Sequence, residues 1–500
     1  MKKNKVIFII KDGWGYRKEK DFNAVAEANT PYSDFLERNY PTTVIKASGE
    51  AVGLPKGYQG NSEVGHITIG AGRIVKEDLF IINEAIKNRS FFKNEQFLGA
   101  IENCKKKNSH LHLIGLLQKK GVHSHSDHLY ALLDLCKKNK FKKVFIHVIT
   151  DGRDAPVKDG EKQLKDLKKK IEKIGFGEVV TLSGRYYAMD RDKRWERTKK
   201  AYLAIAEGET KEKFDDPARE IKKCYQKNET DEFIIPTAKE GYAGFADNDS
   251  VIFFNFRSDR PRQLTQAIVE KNFNQWKREK ISVFFVAMTT YYSSLKNVAF
   301  KKRRVKNILG EVVSKNKMKQ LRVSETEKYP HVTFFFNNQE EKPFLGEVRE
   351  LVSSPKIPTY DLMPKMKAKT VANKTVKEIK KNKYHFIVVN LVNADMVGHT
   401  AKKEKIIEAV EVVDKETNKI VQAGLQEKYT IFIFADHGNA EDQRPQWATS
   451  HTINPVKLTV LSEEMKRLKK NGGLQDIAPT ALSVLGIKKP KEMTGECLFI

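Results

Sequence analysis

The sequence predicts an α/β protein of two domains, one discontinuous and the other inserted within it. Three observations carry that expectation. Short β-branched or aromatic runs alternate with stretches of helical spacing such as Gly160–Lys173 and Asp192–Ala206. Three runs near the chain ends finish on acids, or on an acid plus histidine: Val6–Ile10 before Asp12, Phe386–Val389 before Asp395 and His399, and Ile431–Phe434 before Asp436 and His437. Runs in the middle finish on arginines instead. In an open α/β sheet chemistry collects at the carboxyl ends of strands, so the acidic set should converge on one edge.

In chain order, the outer domain opens with Val6–Ile10 and the segment Gly60-Asn61-Ser62-Glu63-Val64-Gly65-His66, a small nucleophile between glycines. The first crossing is expected near Arg73–Lys76, where Gly70-Ala71-Gly72 gives way to a helical pattern. The inserted region then leads Val144–Ile149 into Asp151-Gly152-Arg153-Asp154, Val179–Leu182 into Arg185 and Arg191, and Val251–Phe256 into Arg257, Arg260 and Arg262. Arginines delivered there can grip a carboxylate or phosphate bidentately. The return is expected in the basic, irregular Lys301–Asn307, which sets the outer domain at 1–75 and 308–500 and the inserted one at 76–307. Both crossings are candidate hinges, since hinges sit at element ends.

Composition narrows the class. Five hundred residues exceed what one core sustains, and a 40% hydrophobic content argues against disorder. The basic start Met1–Lys5 precedes an apolar run that breaks at Lys11-Asp12, too short for a signal peptide, and no run reaches membrane-spanning length. Cys104, Cys136, Cys224 and Cys497 are scattered, which reads as a reduced, cytoplasmic protein without a disulfide or a thiolate zinc site. The net charge of +27, 91 basic against 64 acidic residues, invites a nucleic-acid reading. The lysines are spread along the chain and no nucleic-acid-binding motif accompanies them, so solvated helix faces explain them better. Their general field can still draw in an anionic substrate.

Mixed carboxylate and imidazole donors suit manganese or zinc rather than magnesium or calcium. A metal nearby would activate Ser62, whose free hydroxyl is a poor nucleophile. Ser62 also reads as the cap of a helix starting at Glu63, which is compatible with catalysis.

GNSEVGH at 60–66, DGWG at 12–15, DGRD at 151–154, SGRYYAMDRDKRWER at 183–197, NADMVGH at 393–399 and ADHGNAE at 435–441 stand in an order that resembles the cofactor-independent phosphoglycerate mutases. These are two-manganese enzymes of the alkaline phosphatase superfamily. The resemblance runs from Lys5 to Met493-Thr494-Gly495 and implies an alkaline-phosphatase-like metal domain with an inserted substrate-binding domain. It further implies interconversion of 3- and 2-phosphoglycerate through a phosphoserine at Ser62, without 2,3-bisphosphoglycerate, with the two domains closing to retain glycerate. One ion would fall to Asp395, His399 and His451, and the other to Asp12, Ser62, Asp436 and His437. Arg257 and Arg260 would grip the phosphate, and Arg185 and Arg191 the glycerate carboxylate. Arg153 and Asp154 would bracket the hydroxyl-bearing carbons, with Asp154 moving the proton. His123 matches the family's active-site histidine, whereas His125 and His128 match no catalytic position. Lys328 would neutralise phosphate charge. The partner is thus a small phosphoglycerate, with no nucleic acid and no membrane, and a monomer is expected.

Departures are few. Lys11 stands where an apolar residue precedes the DGWG motif, so its ammonium should snorkel away from the metals or pair with a carboxylate. Ala394 replaces a frequent proline and Val348 a frequent acid. A superfamily phosphatase or sulfatase would lack the arginine-rich segments 183–197 and 251–262, and phosphopentomutase lacks GNSEVGH. The histidine-based mutases need an Arg-His-Gly triplet that does not occur here.

Overall fold

A computed structural model of the chain describes residues 4–301 and 305–500. Residues 1–3 of the basic start, and residues 302–304 of the expected return crossing, lie outside the described residues. The chain packs into two compact units, Met1–Glu77 with Arg304–Ile500 and Asp78–Arg303.

The first unit is built on a seven-stranded sheet. Its spatial order is Glu347–Val352, Gln320–Glu325, Phe386–Leu391, Lys5–Lys11, Tyr429–Phe434, Val456–Leu461 and Thr42–Ile45. The first five are mutually parallel, and Val456–Leu461 runs antiparallel to both of its neighbours. Parallel strands are buried on both faces, which explains near-continuous apolar runs such as Val6–Ile10, fully buried here. Phe8 anchors the centre, edge-on to Phe386, Phe432 and Phe434 at 4.9–5.4 Å. Register does the functional work. Ile10 pairs with Asn390 on one side and Phe434 on the other, so the residues just past all three strands emerge level at one edge.

The second unit carries an eight-stranded sheet in the order Val298–Phe300, Phe284–Thr289, Ser250–Phe253, Leu111–Leu116, Val144–Thr150, Glu178–Gly184, Thr237–Lys239 and Lys213–Phe214. Its first six strands are parallel, so the ends that carry Asp151, Arg185 and Arg257 point the same way.

Some local expectations shift. The strand expected over Val251–Phe256 stops at Phe253, leaving Phe254–Phe256 as an extended lead into the arginine loop. The helix expected over Asp192–Ala206 begins at Trp195 and ends in a wide π turn over Leu203–Glu207, because Asp190 engages the backbone of Asp192 and Arg194 and holds that stretch out of the helix. Lys11 turns away from the metal-type ligands, toward the side of Glu37 and Asp414, but it stays out of water and forms no ion pair within 4.0 Å among the described residues. It is buried with its ammonium 3.7 Å over the Trp14 ring and donates to Ser33 Oγ at 3.3 Å. Burial pushes its pKa down to about 8.

Candidate active site

Ser62 is the first residue of the helix Ser62–Ala71, and the cap is Asn61, whose side chain accepts from Val64 N at 3.1 Å. Asn61 in extended backbone is the better cap, which frees the Ser62 hydroxyl for other contacts. That helix end lies against the sheet edge. A Cβ on Gly65 would stand 2.7 Å from the Asp436 carbonyl oxygen, so only glycine permits this approach.

Ser62 Oγ lies 2.5 Å from Lys328 Nζ, 2.8 Å from His437 Nε2 and 3.4 Å from Asp12 Oδ1. Lys328, just past the strand Gln320–Glu325, also reaches Asp12 Oδ1 at 2.7 Å and Asp395 Oδ2 at 2.5 Å. His437 Nε2 sits 3.5, 3.6 and 4.0 Å from carboxylate oxygens of Asp12, Asp436 and Asp395. His451 Nε2 and His399 Nε2 face Asp395 Oδ1 at 3.3 and 3.4 Å. The His399 ring donates its Nδ1–H to the Thr449 carbonyl at 3.0 Å, which leaves Nε2 as the ligand-competent nitrogen.

The electrostatics follow from burial. Asp12, Asp395 and Asp436 are at most 1% exposed. Burial opposes their ionisation, yet Lys328 holds the Asp12 and Asp395 carboxyls well below their usual range. The same carboxylates outweigh desolvation at Lys328 and raise its pKa. They do likewise for His437, pushing it up to about 9 against the cost of burial.

Donor atoms of Asp395, His437 and His451, and of Asp12, Asp436 and His437, gather within 4.8 Å of one another. Three buried carboxylates with one buried ammonium leave an excess of negative charge, and imidazole nitrogens stand among them. That donor set fits divalent cations of the manganese or zinc type. The grouping differs from the resemblance in two respects: His437 is common to both clusters, and His399 belongs to neither of them and stands at the rim.

Supporting residues escaped the sequence reading. His66 Nδ1 donates to the Ser62 carbonyl at 2.9 Å and lies 3.2 Å from Asp436 Oδ2. Asn390 donates to Asp12 Oδ2 at 2.7 Å, and Asn439 to Asp395 Oδ1 at 2.9 Å. Glu441 accepts from the backbone of Gly15 and Asn439 and from Thr452 Oγ1, tying three loops together. The signal for Asn390 was a polar residue in an otherwise apolar strand. The others sat inside motifs already quoted.

In the second unit, Arg185 is buried and forks across Asp151 Oδ1 at 2.6 Å and Asp154 Oδ2 at 2.5 Å. His123 is bracketed by Asp154 Oδ2 at 3.5 Å from Nε2 and Asp259 Oδ1 at 3.7 Å from Nδ1. Burial, then the Arg185 charge, pushes its pKa down to about 3, so the imidazole is neutral. Arg191 donates to Asp259 Oδ2 at 2.7 Å, Arg257 Nε lies 3.6 Å from Asp259 Oδ1, and Arg260 donates to the Met189 carbonyl. Arg153 is half-exposed and turned toward Glu232 at 3.5 Å. His125 caps the helix Ser126–Lys138 and His128 bonds Asn83, so each has a structural task. Asp151 and Asp259 were not singled out from sequence.

Residues 82–293 match the family described as BPG-independent PGAM N-terminus, and residues 259–488 the type I phosphodiesterase / nucleotide pyrophosphatase family. The chain is 47% identical over 511 residues to a Clostridium botulinum (strain Langeland) protein described as 2,3-bisphosphoglycerate-independent phosphoglycerate mutase, with 100% of both chains covered. It is 48% identical over 516 residues to a Methanosarcina barkeri protein described as 2,3-bisphosphoglycerate-independent phosphoglycerate mutase 2, covering 99% of this chain and 98% of that one. Among solved structures, the Leishmania mexicana phosphoglycerate mutase determined at low cobalt concentration aligns with a TM-score of 0.75 at 27% identity, covering 100% of this chain and 98% of that one.

Proposed function

This chain belongs to the 2,3-bisphosphoglycerate-independent phosphoglycerate mutase family, and on that premise we propose that Ser62 carries the phosphoryl group between the 3- and 2-oxygens of glycerate. Its activity is cofactor-independent phosphoglycerate mutation, a step of glycolysis, and its family is metal-dependent. The observation that carries the proposal is the Ser62 hydroxyl, held at a helix start among an ammonium, an imidazole and a carboxylate.

Asp12, Ser62, Asp395, His399, Asp436, His437 and His451 would hold two ions, for which manganese is the proposed identity. When bound, such ions supply concentrated positive charge that neutralises phosphate oxygens and favours an ionised hydroxyl. Lys328 adds a fixed ammonium within hydrogen-bond reach of Ser62 Oγ. The Oγ–phosphorus bond forms as the bond from phosphorus to the glycerate oxygen breaks. Asp154, a carboxylate paired with Arg185, passes a proton from the other glycerate hydroxyl to the departing oxygen, and the oxygen so freed attacks the phosphoserine and releases Ser62 Oγ. Arg185 fixes Asp154 for this task, and neutral His123 faces it. Arg257 and Arg260 are assigned to the phosphate, Arg185 and Arg191 to the carboxylate, and Arg153 to the glycerate hydroxyls. The metal role thus falls to residues 1–75 and 308–500 and the substrate role to residues 76–307. A cytoplasmic monomer completes the reading. Among the described residues no helix is long and apolar enough to cross a membrane.

The test is a rapid acid quench of manganese-loaded protein turning over 3-phosphoglycerate, followed by peptide mass spectrometry. A phosphoryl group on Ser62 is expected, and Ser62→Ala should lose the label and several orders of magnitude in turnover. Label on another residue, or turnover that survives the alanine, overturns the assignment.

A further inference from the structure

Asp259 is absent from every role assigned above, yet it is the point at which three proposed substrate residues meet. It sits between Arg257 and Arg260 on the loop that leads from Ser250–Phe253 to the helix Arg262–Val269. Its two oxygens divide their work. Oδ2 accepts from Arg191 Nη1 at 2.7 Å. Oδ1 is buried with no hydrogen-bond partner and faces His123 Nδ1 at 3.7 Å and Arg257 Nε at 3.6 Å. His123 Nδ1 is likewise buried and unbonded.

The neighbouring acids cannot substitute, because Asp151 and Asp154 are both engaged by Arg185. Arg185 and Arg191 also depress the Arg260 guanidinium, after burial, a sign of crowded positive charge. Without a carboxylate at 259, Arg191 and Arg257 would repel each other and swing toward water. A guanidinium lost to solvent must be re-immobilised at each binding event, and that ordering cost appears in substrate affinity.

We propose that Asp259 is a positioning residue for phosphoglycerate, orienting Arg191 so that its guanidinium meets the anionic substrate already aligned. The inference rests on the assignment of Arg191 to substrate. Asp259 takes no proton and forms no bond to substrate, so its effect runs through Arg191.

Steady-state kinetics with 3-phosphoglycerate on the manganese-loaded full chain test it, using Asp259→Asn, Asp259→Glu, Arg191→Ala and the double variant Asp259→Asn with Arg191→Ala. Asp259→Asn should raise KM about tenfold while kcat falls less, with metal content unchanged. Asp259→Glu, which keeps the charge, should recover most of that loss. The double variant should be no worse than Arg191→Ala alone, the signature of residues acting as one unit. Additive losses in the double variant, or an Asp259→Asn variant with wild-type KM beside an impaired Arg191→Ala, would overturn the positioning role alone. A wild-type KM in Arg191→Ala would overturn the substrate assignment and this inference together.

Discussion

At the residue scale, the cluster at Ser62 resolves a conflict between burial and charge. Three carboxylates removed from water demand cations, and Lys328 with His437 meets part of that demand. A histidine-ligated site would ordinarily lose its metal as pH falls through the imidazole range near 6.5. The structure moves it for one ligand, since the carboxylates push His437 up to about 9. Its folded pKa is raised, so the metal-free protein keeps that proton below about 9, and an entering ion must expel it. Manganese affinity should therefore keep strengthening as pH rises from 7 to 9, by up to about tenfold per unit for one displaced proton. Calorimetric titration with manganese across that range checks this, and an affinity already level at pH 7 would contradict it.

At the element scale, the helix Ser62–Ala71 matters through its first turn and its contact face. Alanine favours a helix interior over glycine by about 1 kcal/mol, so propensity alone would have Gly65→Ala stabilise. The contact decides otherwise, because the new Cβ would meet the Asp436 carbonyl oxygen at 2.7 Å, with Asp436 Cβ at 3.1 Å. Overpacking of this kind costs about 1–3 kcal/mol and here would displace the strand end that presents Asp436 and His437. Gly65→Ala should lower the melting temperature and reduce bound metal, as read by elemental mass spectrometry. Full metal content with normal melting would show that the helix can shift without disturbing the ligands. The sequence displayed this element well, since Asn61, Ser62 and Gly65 lie together in one motif. It misassigned the cap, because Asn and Ser are both good capping residues and only the backbone angles at Asn61 distinguish them.

At the scale of the whole molecule, the metal-type ligands and the arginines assigned to substrate belong to different compact units. Function should separate accordingly. Arg260→Ala removes a guanidinium that donates to the Met189 carbonyl within the second unit. The loss of one charge-assisted contact, about 1.5–3 kcal/mol, should lower kcat/KM about ten- to a hundredfold while bound manganese stays at the wild-type level. Parallel measurements of activity and metal content check this, and metal loss in the variant would argue against the separation of roles.

The sequence by itself determined the α/β class, the strand ends that carry Asp12, Asp395, Asp436 and His437, and the family. Those features are local: periodicity of apolar residues, and motifs of a few residues each. Only the tertiary structure decided which side chains share a partner. Asp259 holding Arg191, Asp151 holding Arg185, His437 standing in both ligand clusters and Lys328 wedged between Asp12 and Asp395 all join residues far apart in the chain. Lys11 makes the same point from the other side. Its charge beside an apolar strand predicted a turn away from the metals or an acid partner, and what holds it on that side is the Trp14 face and Ser33 Oγ rather than an ion pair. Pairing depends on strand order and register, which follow from packing of both sheet faces and leave no mark at any single position.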